Sequence, residues 1–178
     1  MIRPANPSRD AAACAAIYAP YVLEGIASLE EQAPEAREMA TRIERISVTH
    51  SWLVAELEGA IAGYAYSSRH RERACYRWTT DVTVYLDPAY HRRGIGRGLY
   101  RALFEQARRQ GYYVACAGIT LPNEASVGLH ESLGFVPVGV YRGVGFKHGH
   151  WWDVGWWQLQ LRERSPAGAA PAEPGPPE

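Results

Sequence analysis

Thr79-Thr80-Asp81-Val82-Thr83-Val84-Tyr85-Leu86-Asp87-Pro88 runs into Ala89-Tyr90-His91-Arg92-Arg93-Gly94-Ile95-Gly96-Arg97, then into a helical pattern that ends at Gly111. The first piece predicts a strand. Its residues are β-branched and aromatic, and Asp-Pro ends it because proline removes a ladder donor. The last piece predicts a helix, with Ile95, Leu99, Ala102 and Leu103 on one apolar face and Arg101, Glu105 and Arg109 at four-residue spacing on a charged one. Gly111 stands where a helix C-cap glycine belongs. The turn between them is basic and holds two glycines. Without Cβ atoms at Gly94 and Gly96, backbone N–H groups can close on a ligand, and the helix dipole adds positive character. A pyrophosphate suits such a turn.

Other phosphate-binding turns fit less well. A P-loop ends in Gly-Lys-Ser/Thr, which is missing here, and a dinucleotide fingerprint requires a third glycine where Leu99 stands. His91-Arg92-Arg93-Gly94-Ile95-Gly96 instead resembles the Q/R-x-x-G-x-G/A acetyl-CoA turn of the Gcn5-related N-acetyltransferases, with His91 where Gln or Arg is usual.

The 178 residues suggest one domain, and 47% hydrophobic residues are enough for a full core. Lys plus Arg and Asp plus Glu balance at 19 each, so no whole-chain field favours nucleic acid or a membrane. Charge is segregated locally. Glu24, Glu30, Glu31, Glu35 and Glu38 form an acidic stretch, and Arg69, His70, Arg71, Arg73 and Arg77 a basic one. Cys14, Cys75 and Cys116 are widely spaced and imply no disulfide framework, which favours a reducing compartment. The start Met-Ile-Arg-Pro lacks a signal-peptide pattern, so the cytoplasm is expected.

In chain order, Ile2 to Ala5 predicts an edge strand. Ser8 is an N-cap candidate for a helix that Pro20 should break or kink, and Pro34 should open a second helix with Met39, Ile43 and Ile46 inward. Trp52–Glu56 and Ala60–Ser67 predict a hairpin about Glu58-Gly59. Val114–Leu121 predicts an interior strand, and Asn123 caps a further helix that Gly134 stops. Phe135–Phe146 and Trp151–Leu161 predict a last strand pair. From residue 163 to 178 the chain is rich in Pro, Ala and Gly, a composition expected to be disordered.

The resulting β-α-α-β-β-β-α-β-α-β-β order is α+β and is similar to the N-acetyltransferase fold over residues 1–162. Further stretches resemble its phosphinothricin and methionine sulfone/sulfoximine branch: Gly63-Tyr64-Ala65-Tyr66, Leu121-Pro122-Asn123-Glu124-Ala125-Ser126, Leu129-His130-Glu131-Ser132-Leu133-Gly134-Phe135 and Gly145-Phe146-Lys147-His148-Gly149-His150-Trp151. The resemblance implies an α/β/α sandwich around a mixed, splayed sheet of about seven strands. It also implies acetyl-CoA as co-substrate, a small-molecule amine as acceptor and a homodimer. Protein N-termini or polyamines are the alternative acceptors, and a non-catalytic acyl-CoA-binding module is the alternative from another class.

The resemblance places Asp81 as the base and His130 as a candidate acid or base. It places Thr83, Val84 and Tyr85 along the acetyl-pantetheine arm. His91, Arg92, Arg93, Gly94, Ile95, Gly96, Arg97 and Asn123 would also hold acetyl-CoA, and Arg73, Ala74, Cys75, Tyr76, Asp81 and Lys147 would hold substrate. Asp81 stands where the branch usually has Glu, one methylene longer. His148-x-His150 with Asp153 does not match a zinc pattern, so no metal is expected.

Overall fold

The computed structural model describes residues 1–164 and 166–177. Strand β1 (Ile2–Pro4) leads to helix α1 (Pro7–Leu23), capped by Asn6, whose side-chain oxygen accepts the Arg9 N–H at 3.1 Å. The cap is therefore Asn6 and not Ser8, because Pro7 occupies the first helical position that proline favours. Pro20 lies inside α1 without ending it: Ile17, Tyr18 and Val22 are buried on both sides of it and hold the last turn against the sheet. Helix α2 (Ala36–Ser47) starts two residues after Pro34, with Met39 and Ile43 buried.

Strands β2 (Trp52–Leu57) and β3 (Ala60–Arg69) form the expected hairpin. Glu58 and Gly59 both have positive φ, 50° and 83°, as a tight hairpin turn requires. Strand β4 (Thr79–Leu86), helix α3 (Ile95–Gln110), strand β5 (Val114–Leu121), helix α4 (Glu124–Glu131) and the hairpin β6 (Val136–Lys147)–β7 (His150–Gln160) follow. The seven strands order as β1-β2-β3-β4-β5-β7-β6, and only the β4–β5 contact is parallel. One apolar cluster gathers Leu99, Leu103, Phe104, Ala117, Ile119 and Phe135 on the α3 face. A second gathers Cys14, Ile17, Met39, Ile43, Val54 and Tyr64 under α1 and α2.

Residues 172–175, read from composition as disordered, are held by polar anchors. The Trp78 indole N–H donates to the Ala172 carbonyl at 2.9 Å, and Gly175 N–H donates to the Gln110 carbonyl at 2.8 Å. Arg77 pairs with Glu173. The tail makes the first two bonds through backbone groups, which is why its bland composition concealed them.

Arg3 ties the edge of the sheet to α1. Its guanidinium donates to both Asp10 carboxylate oxygens at 2.7 and 2.8 Å and to Glu56 at 2.9 Å, and Asp10 is 1% exposed. Burial pushes the Asp10 carboxyl up, but hydrogen bonds from Arg3 and from the Asn6 N–H bring it below its ordinary 3.8. Its contribution to stability is therefore present above the unfolded carboxylate pKa and is lost as pH falls through the depressed folded value. Arg3→Ala would strand a buried carboxylate and should cost about 3–5 kcal/mol in urea unfolding at neutral pH, with an unchanged m-value. A loss below about 1 kcal/mol would show that water reaches and solvates Asp10.

Candidate active site

Strands β4 and β5 share only the rungs Thr79↔Val114, Thr80↔Ala115 and Asp81↔Cys116. Beyond them β4 stays paired with β3 as far as Leu86, and β5 stays paired with β7 as far as Leu121. The two strands part while each keeps its antiparallel neighbour. The opening is a cavity of about 610 Å³, lined by Val82–Leu86, residues 117–120, the turn before α3 and the inner side of α4. That volume suits a sizeable organic ligand. Thr83, Val84 and Tyr85 all line it, and their backbone edge on this side has no β5 partner.

The turn is built by backbone conformation. Asp87 accepts the Ala89 N–H at 2.8 Å and starts a short 3-10 turn, Pro88–Tyr90. Arg92 and Gly94 then take positive φ, 58° and 77°. Gly94 is the N-cap of α3 and supplies no side-chain hydrogen bond, so the first N–H groups of the helix remain available to a ligand. Gly96 serves a different need: it is buried, and an added Cβ would lie 3.4 Å from both Leu86 and Leu129. Helix α1 braces the turn through Tyr21, whose hydroxyl donates to the Leu86 carbonyl at 2.6 Å. That uses its single proton, so the His91 Nε2 at 3.1 Å must donate to Tyr21. His91, Arg92, Gly94, Ile95, Gly96 and Arg97 line the cavity. Arg93 does not; its guanidinium lies over the Tyr90 ring at 5.4 Å.

Asn123 lines the cavity and also caps α4, accepting the Ser126 N–H at 3.1 Å. His130 reaches the same wall from about two helical turns further on, but it is 3% exposed and both of its nitrogens are engaged. Nδ1–H donates to the Ser126 carbonyl at 2.7 Å, so Nε2, 2.9 Å from the Tyr100 hydroxyl, accepts from it. Burial lowers the His130 pKa from its ordinary 6.5. The ring is therefore neutral near pH 7, with no N–H free to give away, and the expectation of a direct acid is corrected on that ground.

Asp81 stands on the last shared rung, on the face of β4 that α1 and α2 cover. Its Oδ1 is 2.6 Å from Nδ1 of His70, which follows directly on the end of β3. Burial raises the Asp81 pKa above its ordinary 3.8, against the opposing pull of His70 and Arg71. The His70 ring meets Tyr76 and Trp156 edge-on, each at 5.9 Å, and Arg71 lies over Trp156 at 5.3 Å. The Trp156 indole N–H is buried without a hydrogen-bond partner among the described residues. Sequence reasoning left His70 inside a basic loop. Its pairing with Asp81 comes from the β3–β4 register, Ser68↔Asp81, which residue spacing did not reveal.

The remaining expected substrate residues separate. Arg73, Ala74, Cys75 and Tyr76 are exposed on the loop before β4; Tyr76 touches His70, and Arg73 has no ion pair among the described residues. Lys147 is not a substrate group: it is buried, and its ammonium donates to the carbonyls of Val22 at 2.5 Å and Ser28 at 2.7 Å. It fixes the end of α1 to the β6–β7 hairpin.

The family model of the acetyltransferase (GNAT) domain matches residues 2–156. The chain belongs to the GNAT acetyltransferases. It is 38% identical over 165 residues to a phosphinothricin N-acetyltransferase of Streptomyces viridochromogenes, covering 93% of this chain and 90% of the relative. It is 42% identical over 113 residues to an L-methionine sulfoximine/L-methionine sulfone acetyltransferase of Salmonella typhimurium, covering 64% and 66%. Its fold is similar to a phosphinothricin acetyltransferase of Sinorhizobium meliloti in complex with acetyl-CoA, with a TM-score of 0.90, 35% identity, and 97% and 93% covered. As a GNAT enzyme it is an N-acetyltransferase with acetyl-CoA as co-substrate.

Gly96→Val adds a branched side chain where a Cβ would already touch the Leu86 and Leu129 methyl groups, beside the open helix N-terminus. Calorimetric titration should register acetyl-CoA affinity at least about tenfold weaker, with helical circular dichroism retained. Unchanged affinity in the folded variant would remove this turn from the acetyl-CoA site.

Proposed function

We propose that this GNAT enzyme acetylates the α-amino group of a small amino-acid analogue of the phosphinothricin, methionine sulfoximine or methionine sulfone type, by direct attack in a ternary complex. The observation that carries the proposal is the placement of a half-buried carboxylate, Asp81, on the last rung before the split opens. Acetyl-CoA lies with its pyrophosphate on residues 91–97 and its pantetheine arm along Thr83–Tyr85. The unpaired β4 backbone offers a donor to the thioester oxygen as it gains charge. The acceptor enters from the other face, where the guanidinium groups of Arg71 and Arg73 suit an anionic or polar tetrahedral group and a carboxylate. The names of the two relatives support this acceptor class.

Asp81 supplies the basicity that frees the amine lone pair. The nitrogen attacks the thioester carbon, the C–S bond breaks, and the thiolate takes up a proton that the amine nitrogen sheds. His130 walls the cavity and anchors Tyr100. A cationic acceptor is disfavoured locally, because Glu30 and Glu38 of the acidic segment both bind Arg42, at 2.8 and 2.5 Å. We place the enzyme in the cytoplasm as a homodimer. Edge strand β6 exposes Val136, Val138, Val140, Val144 and Phe146, an apolar margin that a second copy would cover. No helix among the described residues is long and apolar enough to cross a membrane.

Asp81→Asn keeps the size and removes basicity, so kcat should fall by about 10²–10⁴-fold with acetyl-CoA binding kept. Parent activity should decline on the acid side as Asp81 protonates, with a midpoint above the ordinary carboxylate value because burial raises it. His130→Phe should lose less than about tenfold, since both nitrogens already serve the protein and not the thiolate. A pH–rate profile of all three forms tests this; full turnover by Asp81→Asn would sink the assignment. In a substrate panel, methionine sulfoximine or phosphinothricin should exceed spermidine in kcat/KM, and the reverse order would reject the amino-acid acceptor.

A further inference from the structure

We infer that the atom receiving the amine proton is Nε2 of His70, with Asp81 orienting and charging the ring from behind. The assignment rests on the amine-acetylating function proposed above and deepens it. Asp81 offers a short carboxylate, and its Oδ1 is already in a 2.6 Å hydrogen bond. The donor in that bond is Nδ1–H of His70, so the neutral ring carries its lone pair on Nε2, on the far side from the carboxylate. Nε2 makes no hydrogen bond to any described residue. The ring is held in place by edge contacts to Tyr76 and Trp156. The pair therefore extends the reach of Asp81 by the width of an imidazole.

The groups facing this pair come from every neighbouring element. Arg71 is on the same loop, Tyr66 on β3, Cys116 across the last rung on β5, and Trp156 on β7. Burial pushes the Cys116 thiol up to about 11, so it is a neutral neighbour and not a competing base. Among these groups the imidazole alone combines a free lone pair with a carboxylate behind it. In the step, one N–H bond of the ammonium breaks and its proton bonds to Nε2. The imidazolium is stabilised by Asp81, and the freed nitrogen lone pair forms the C–N bond while the C–S bond breaks and the departing thiolate takes up the second proton that the nitrogen sheds. The proton on His70 is then lost to solvent, which restores the enzyme.

The test compares His70→Ala and His70→Asn with Asp81→Asn, using methionine sulfoximine as acceptor. Asn retains an N–H where Nδ1–H was and can still hold Asp81, but it has no basic nitrogen. Both His70 variants should lose about 10²–10³-fold in kcat with the acetyl-CoA Kd within about twofold of the parent. Free imidazole should raise the rate of His70→Ala at least about tenfold, a rescue that a purely structural residue would not show. Parental kcat in His70→Asn, or a His70→Ala rate indifferent to imidazole, would overturn the inference and leave Asp81 acting alone. Full activity in Asp81→Asn would instead reject the underlying function. If His70→Ala fails to fold, the kcat of His70→Asn decides by itself.

Discussion

The structure depends on a conflict between neighbours in one sheet. Strand β4 is committed to β3 from Thr80 to Leu86, and β5 is committed to β7. Each antiparallel pair carries its own twist, and the two pairs can share only a short parallel seam. Where the seam fails, backbone groups in the middle of a sheet lose the partner that a ladder would supply. Such groups seek partners elsewhere, and an extended amide-bearing arm such as pantetheine is chemically suited to them. The cavity, the exposed backbone of Thr83–Tyr85 and the position of Asp81 all follow from this parting.

The surrounding elements keep the split open and shaped. Tyr21 joins α1 to the end of β4 and, through His91, to the turn. Tyr85 is packed by Tyr18, Tyr21 and Tyr64 at 4.7, 5.1 and 5.6 Å, which stiffens β4 on the sheet face that α1 covers. Lys147 fixes the distal hairpin to the end of α1 with two short bonds to carbonyls. The acceptor side is thus bounded by elements far apart in sequence, and its geometry is sensitive to contacts remote from the chemistry.

Much of this was legible in the sequence. Alternation and turn residues disclosed the order of the elements, and the glycines of the turn had identifiable reasons: a positive φ at Gly94 and a close approach at Gly96. Side chains whose roles depend on tertiary register were not legible. His70 meets Asp81 because of strand pairing, and Lys147 turns inward onto the Val22 carbonyl at the end of α1 and the Ser28 carbonyl in the loop beyond it. Arg93 lies in the motif but points away, since the positive φ at Arg92 redirects the chain. Pro20 was expected to break or kink α1; the helix runs on through it to Leu23, with Ile17, Tyr18 and Val22 buried on both sides. His130 fell on the expected helical face, yet its protonation state is set by Tyr100 and Ser126, which only the packing brings to it.

Residue-resolved amide hydrogen exchange, free and saturated with acetyl-CoA, tests the occupation of the split most directly. Slowed exchange is expected at Thr83–Tyr85 and Ile95–Arg97, with Leu53–Ala55 in β2 unchanged as an internal reference. Exchange at Thr83–Tyr85 that ignores saturating acetyl-CoA, while protection gathers elsewhere on the sheet, would contradict the parting of β4 and β5 as the place where the thioester is held.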